Sequence, residues 1–306
     1  MEIVIINIIV SIVVYLGISV CLIIIDKKPG NADLHEPQIS FNELIIDYSG
    51  IPELNEFRCR DGQALNYRYY PSQSKKVIIF IHGSGWHSRY FYPLANYISS
   101  HRIAIVYTPD LRGHGISPKK RGDIDYINQF EDDLADFIAY IKKENNNSDI
   151  ILAGHSSGGG LAIRFTGGKY SNLIDSCLLL SPFLKYNAPT MKKNSGGWTI
   201  VHTPRIIGLS MLNNIGIKWL NYLKVIEFNM PKEYRDGSET LSYSYRLNTG
   251  FAPKNYRREF RKIKQRTLLI AGESDESFDA KSFAPEITKY KKDIDVEIIS
   301  NITHMG

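Results

Sequence analysis

The segment DIILAGHSSGGGLAIRF, residues 149–165, limits the fold more than any other part of this 306-residue chain. Its apolar run ends at Gly154 and reads as a buried strand, and a helical pattern begins near Gly158. Ser156 therefore falls on a tight turn from strand to helix, and Gly154-His155-Ser156-Ser157-Gly158 fits Gly-x-Ser-x-Gly. Such a turn brings two backbones too close for a Cβ, which accounts for the glycines, and strains the central serine so that its Oγ projects. Ser157 cannot take that place, because the register would then need glycine where His155 stands. Gly159 and Gly160 let the helix lie close on the sheet, and its N-terminus favours negative charge nearby.

The rest of the chain repeats this alternation. EFRCRDGQALNYRYYP reads as two strands around an Asp61-Gly62 turn, and KKVIIFIHG, RIAIVYTPD, DIILAGH, IDSCLLLSP, RTLLIAGESD and IDVEIIS each read as a short buried strand ending in a loop. Helix patterns lie near 89–100, 128–143, 158–169 and 279–290; in the second, Phe130, Leu134, Phe137, Ile138 and Ile141 make one apolar face. This order predicts an α/β fold with a mostly parallel central sheet covered by helices on both faces. A composition 43% hydrophobic, with Tyr 19 and Phe 13, supports a sizeable core and excludes a disordered chain. Cys21, Cys59 and Cys177 have neither disulfide-framework nor metal-ligand spacing. The net charge of +5, without a nucleic-acid motif, argues against nucleic acid as a partner.

The N-terminus is of a different kind. Residues 3–25 carry no charge, and as a helix they reach about 34 Å at ~1.5 Å per residue, enough to cross a bilayer core of ~30 Å. Residues 1–25 are therefore expected to be a single-pass membrane anchor, and 26–55, polar with Pro and Gly, a linker. A cleaved secretory signal competes with this reading, but the start Met1-Glu2 is not basic and the run is long. Lys27 and Lys28 after the span, against Glu2 before it, favour a cytoplasmic catalytic domain.

A nucleophilic serine needs a base. Of the eight histidines, His35, His82, His87, His101 and His114 precede Ser156, His155 adjoins it, and His202 lies in a segment without strand pattern. His304 follows the last strand and is the candidate base. A carboxylate must fix its tautomer, and Asp275 lies in the loop after strand TLLIAG; Glu273, Glu276 and Asp279 are the alternatives nearby. The order Ser, Asp, His is the one found on this architecture. The loop HGSGWHSRY places free backbone N–H groups at the sheet's carboxyl edge, so the amides of Ser84 and Ser157 are assigned to an oxyanion hole. Gly83 turns that loop and His82 braces it.

HGSGWHSRYFYPLANYI, DLRGHGISP, RGDIDYINQFEDDLADFI, GHSSGGGLAIRF, AGESDESF and ITHMG, in this order, resemble the α/β-hydrolase superfamily, in particular its monoacylglycerol lipase, lysophospholipase and serine aminopeptidase-like group. The resemblance covers about residues 56–306. It implies a serine hydrolase with the triad Ser156, Asp275 and His304, the Ser84 and Ser157 amides as oxyanion hole, no metal and no cofactor. The DLRGHGISP block resembles a loop that supports the site without doing chemistry. Serine at the elbow, in place of aspartate, argues against dehalogenase or epoxide hydrolase chemistry. Many members carry methionine where this chain has Ser157, and the fold usually continues beyond Gly306 with a further helix.

Residues 184–265 are too many for a plain connection, for which ~12–15 is already long. An inserted helical cap over 184–262 is expected, between core parts 56–183 and 263–306, with Trp198, Trp219 and Tyr222 suited to an apolar channel or to the cap's own core. The basic run 254–266 suits anionic lipid or solvent. The expected activity is cleavage of carboxylic esters, a monoacylglycerol or lysophospholipid, through an acyl-enzyme on Ser156, with the bilayer contacted through residues 3–25. Alternatives are a peptidase or amidase, for which Glu227, Glu233 and Glu239 would bind a substrate amine, and a non-catalytic binding protein on the same fold. The sequence leaves the oligomeric state open.

Overall fold

The computed structural model describes residues 1–25, 39–192 and 197–306. The first part of the expected linker, with Lys27, Lys28 and His35, lies outside them. The central sheet has eight strands: β1 (Asn55–Arg58), β2 (Ala64–Tyr70), β3 (Lys76–Ile81), β4 (Ile105–Pro109), β5 (Asp149–His155), β6 (Ser176–Leu180), β10 (Arg266–Gly272) and β11 (Ile294–Ile299). Their spatial order is β1-β2-β4-β3-β5-β6-β10-β11. β1–β2 and β2–β4 pair antiparallel, and all the other neighbours are parallel.

Burial on two faces explains why the strands read as continuous apolar runs. In β3, Ile78 and Phe80 face a cluster with Phe91, Ala95 and Ile98, which involves α2 (Tyr92–Ser100). Val77, Ile79 and Ile81 face the larger cluster, with Phe130, Leu134 and Phe137 of α3 (Gln129–Glu144), Leu161 of α4 (Ser157–Thr166), and Phe283 and Ile287 of α8 (Phe283–Ile287). The helix pattern near 279–290 becomes a 3-10 turn, Ala280–Ser282, followed by α8.

Parallel register aligns the carboxyl ends. Ile81 pairs with Gly154, His155 with Leu180, Leu180 with Ile270 and Gly272 with Ile299. The loops after β3, β5, β6, β10 and β11 therefore open on one rim.

Between β6 and β10 the segment is not purely helical. β7 (Thr199–Val201), β8 (Lys224–Phe228) and β9 (Ser242–Ser244) form a separate antiparallel sheet, joined by α5 (Thr203–Asn214). α6 (Tyr245–Phe251) and α7 (Tyr256–Lys262) pack on α4. Trp219 and Tyr222, expected in a channel or cap core, are exposed at 78% and 53%, because α5 ends at Asn214 and the chain beyond it runs in turns on the surface. Trp198 alone of the three is buried.

α1 (Glu2–Ile24) is apolar and long enough to cross a bilayer, a property that a signal sequence shares. Its C-terminal half packs along α5: Tyr15 Oη donates to the Met211 carbonyl at 2.9 Å, and Ser19 is fully buried. A Cβ on Gly208 would lie 2.5 Å from the Ser19 carbonyl oxygen, so this crossing requires glycine. Residues 39–45 do not behave as a tether either, since Ile39 and Phe41 are buried in the main cluster.

One buried ion pair ties the core to the inserted segment. Arg164 of α4, fully buried, donates to Glu131 Oε2 at 2.7 Å, to the Thr249 and Ala252 carbonyls, and to Asn128 Oδ1. Arg164→Met would leave Glu131 charged, buried and deprived of this partner, at a cost of about 3–5 kcal/mol. The expected outcome is a clearly lower urea midpoint at neutral pH with an unchanged m-value.

Candidate active site

Ser156 ends the turn from β5 into α4 with φ 54° and ψ −119°, a conformation that L-residues avoid. The strain is over-determined by its surroundings. The Ser156 N–H donates to the Leu180 carbonyl at 2.9 Å, and its own carbonyl accepts from Gly160 and Phe183. A Cβ at Gly154 would stand 2.3 Å from the Gly158 carbonyl oxygen, and one at Gly158 only 2.2 Å from the Ile81 carbonyl oxygen.

Asp275 and His304 meet directly. His304 Nδ1 lies 2.9 Å from Asp275 Oδ2 and donates to it, which leaves Nε2 without the proton and able to act as a base. Asp275 is fully buried, and its Oδ1 accepts from the Ser277 and Phe278 N–H groups at 2.8 and 2.9 Å. Burial by itself raises the carboxyl's pKa, but the His304 hydrogen bond and charge, with Ser181 and the Phe278 N–H, outweigh it and hold the group below the ordinary aspartate range.

His304 is also fixed through its backbone. Its N–H donates to Glu276 Oε2 at 2.9 Å, and its carbonyl accepts from His155 Nε2 at 2.9 Å. Glu276 thus holds the backbone of His304 and not its ring. Glu273 pairs with Lys281 at 3.4 Å and Asp279 accepts from Ser282 at 2.6 Å, and among the described residues neither has a hydrogen bond or ion pair with His304. Ser156 comes to the same rim, since its neighbour His155 has its ring 4.7 Å from that of His304. The Ser156 Oγ has no hydrogen bond among the described residues.

The loop after β3 faces the elbow. A Cβ on Gly83 would be 3.3 Å from Ser156 Cβ. The Ser84 N–H has no acceptor among the described residues, and the Ser157 N–H opens α4, where no carbonyl one turn earlier can receive it. The two hydroxyls lie 2.7 Å apart, so the serine at 157 ties the loop to the elbow by a contact that the sequence pattern did not reveal. His82 braces the loop, accepting from the Leu111 N–H at Nε2 and donating from Nδ1 to the Gly83 carbonyl.

Two tyrosines complete the rim, and no periodicity in the sequence singled them out. Tyr90 Oη accepts from the Gly83 N–H at 2.9 Å and donates to His155 Nδ1 at 3.0 Å. Tyr243, on β9, accepts from the Gly85 N–H at 2.6 Å and donates to His114 Nε2 at 2.7 Å. His202, set aside in the sequence, pairs with Glu227 at 3.3 Å in the cap.

The profile of the family described as serine aminopeptidase, S33, matches residues 72–305. This chain is a member of the S33 family. As an S33 α/β hydrolase it is similar to human monoglyceride lipase, at 31% identity over 144 residues, 46% of each chain. The alignments with this enzyme and its mouse counterpart thus span about half of their length. A monkeypox virus monoglyceride lipase homolog matches at 26% over 238 residues, 72% of this chain and 78% of the viral one. In three dimensions the S33 chain resembles a soluble variant of Saccharomyces cerevisiae monoglyceride lipase with TM-score 0.65 and 17% identity, over 85% of this chain and 90% of that one, which shows the shared fold.

Burial makes the rim histidines poor proton acceptors. Desolvation lowers His82 to about 4 and His155 to about 3, and it also lowers His87 and His114. Their unfolded values lie near ~6.5, so on acidification the unfolded chain takes up protons first. Their contribution to stability is complete above about pH 6.5 and is lost as pH falls through the folded values. The urea midpoint should therefore fall steadily from pH 6.5 to 4, and in His82→Gln it should fall less steeply.

Proposed function

We propose that this S33 hydrolase is a membrane-anchored serine esterase that cleaves lipid esters, monoacylglycerol or lysophospholipid, through an acyl-enzyme on Ser156. The observation that carries the reading is the buried Asp275–His304 pair on the rim shared with the strained Ser156 elbow. In the reaction His304 Nε2 removes the Ser156 proton as Oγ attacks the ester carbonyl. The Ser84 and Ser157 amides stabilise the tetrahedral oxyanion, and Asp275 stabilises the imidazolium. His304 then protonates the departing alcohol. Water, deprotonated by the same nitrogen, releases the acid and restores the serine. No step calls on a metal or a cofactor.

The lipid part of the proposal draws on the similarity to monoglyceride lipases and on the apolar α1, whose residues 2–14 are exposed. We assign α1 to the bilayer and place the catalytic domain on the cytoplasmic side, by the charge bias across the span. The peptidase alternative needs a carboxylate for a substrate amine. Glu239 is occupied with the N–H groups of Asp236 and Gly237 and Glu227 with His202, so two of the three candidate acids are committed elsewhere and only the exposed Glu233 has no partner among the described residues.

Fluorophosphonate labelling of the vesicle-bound protein tests this reading. Wild type and Ser157→Ala should label and Ser156→Ala should not; an unlabelled, folded wild type would remove the serine-hydrolase reading. Asp275→Asn should keep the fold and lose about four orders of magnitude in kcat on a monoacylglycerol.

A further inference from the structure

Phe41 precedes the segment matched by the family profile, which begins at residue 72, yet it is buried to 3% exposure within the rim of the site. Its ring centroid lies 6.0 Å from Trp86, 5.4 Å from Trp198 and 5.3 Å from Tyr234. Two of these walls, Trp86 and Trp198, abut the proposed acyl-transfer machinery. Trp86 follows Ser84 and Gly85 in the oxyanion loop and sits 6.2 Å from the ring of Tyr90. Trp198 is close enough to Gly85 that a Cβ there would lie 3.3 Å from its ring. The backbone just before Phe41 is tied to the same machinery: the Ser40 N–H donates to Glu276 Oε1 at 3.1 Å, while Glu276 Oε2 accepts from the His304 N–H. On the cap side Tyr234 Oη donates to Asn42 Oδ1 at 3.0 Å.

An ester substrate needs an apolar space for its acyl chain beside the nucleophile, and the cage around Phe41 is apolar, aromatic and placed there. We propose that this cage is the acyl-chain subsite and that residues 39–42 form a strap whose Phe41 and Ile39 occupy it until a substrate chain displaces them. The proposal rests on the ester-hydrolase reading above. Displacement exchanges one buried apolar surface for another, so it depends on chain length. An acyl chain with many methylenes buries more surface than a phenylalanine and an isoleucine together, and a butyryl group buries less. The strap therefore makes the site selective for long acyl chains without any wall of its own.

The test compares hydrolysis of p-nitrophenyl butyrate and of a long-chain monoacylglycerol by vesicle-bound wild type, Phe41→Ala and Ile39→Ala, with fluorophosphonate labelling as an active-site count. The expected result is a rise in kcat/KM of about tenfold on the butyrate ester in Phe41→Ala, a smaller rise in Ile39→Ala, and little change on the long-chain substrate. If Phe41→Ala does not fold, Phe41→Leu carries the same test, since it keeps apolar volume and loses the ring contacts. Equal activity losses on both substrates in the folded variants would show that Phe41 is ordinary core and overturn the strap. A wild type that neither labels nor hydrolyses either ester would instead overturn the hydrolase reading beneath it.

Discussion

The site depends on a close approach of three backbones: the end of β3, the end of β5 and the start of α4. Positions 154 and 158 have no room for a side-chain carbon, because carbonyl oxygens occupy that space. This contact sets the angle at which α4 leaves the sheet, and with it the strain at Ser156. It also sets the distance between the elbow and the loop that carries Ser84. Asp275 and His304 reach the same rim only because β10 and β11 continue the parallel register outward from β5 and β6.

The rim is then made rigid by polar groups that satisfy one another. Gly83, Tyr90, His155 and the His304 carbonyl form one chain of hydrogen bonds, and Gly85, Tyr243 and His114 form another that reaches into the cap. Neutral imidazoles suit this work, because each offers one donor and one acceptor in a fixed direction. The low dielectric that keeps them neutral also strengthens the bonds they make. Precision at the site thus comes from loops that cross-brace and not from any one element.

Much of this was legible in the sequence. The strands announced themselves because both faces of the sheet are buried, and the elbow because glycine has no substitute at a contact of 2.2 Å. Asp275 and His304 followed from position after a strand. What stayed hidden depends on contacts between distant segments. β7 and β9 are too short to show alternation and find their pairing only through β8. Tyr90, Tyr243 and Glu276 carry no pattern; their roles come from what lies across from them. Residues 39–45 read as tether because Ile39 and Phe41 alternate with polar residues too briefly to signal a strand or a helix, and only the aromatic cage explains their burial.

The docking of α1 on α5 also changes what a membrane would experience. With Tyr15 and Ser19 engaged, and Ile18, Val20 and Ile24 left exposed, the stretch in which every residue is exposed runs from Glu2 to Val14, about 20 Å at ~1.5 Å per residue. A hydrocarbon layer of ~30 Å is thicker than that. A bilayer that took up α1 would meet protein along one side of the helix's second half, a conflict relieved by local thinning, by undocking the helix, or by drawing α5 with its exposed Ile207 down toward the acyl chains. Were α1 to enter a bilayer as proposed, bilayer thickness would act on the cap through the glycine at which the two helices cross.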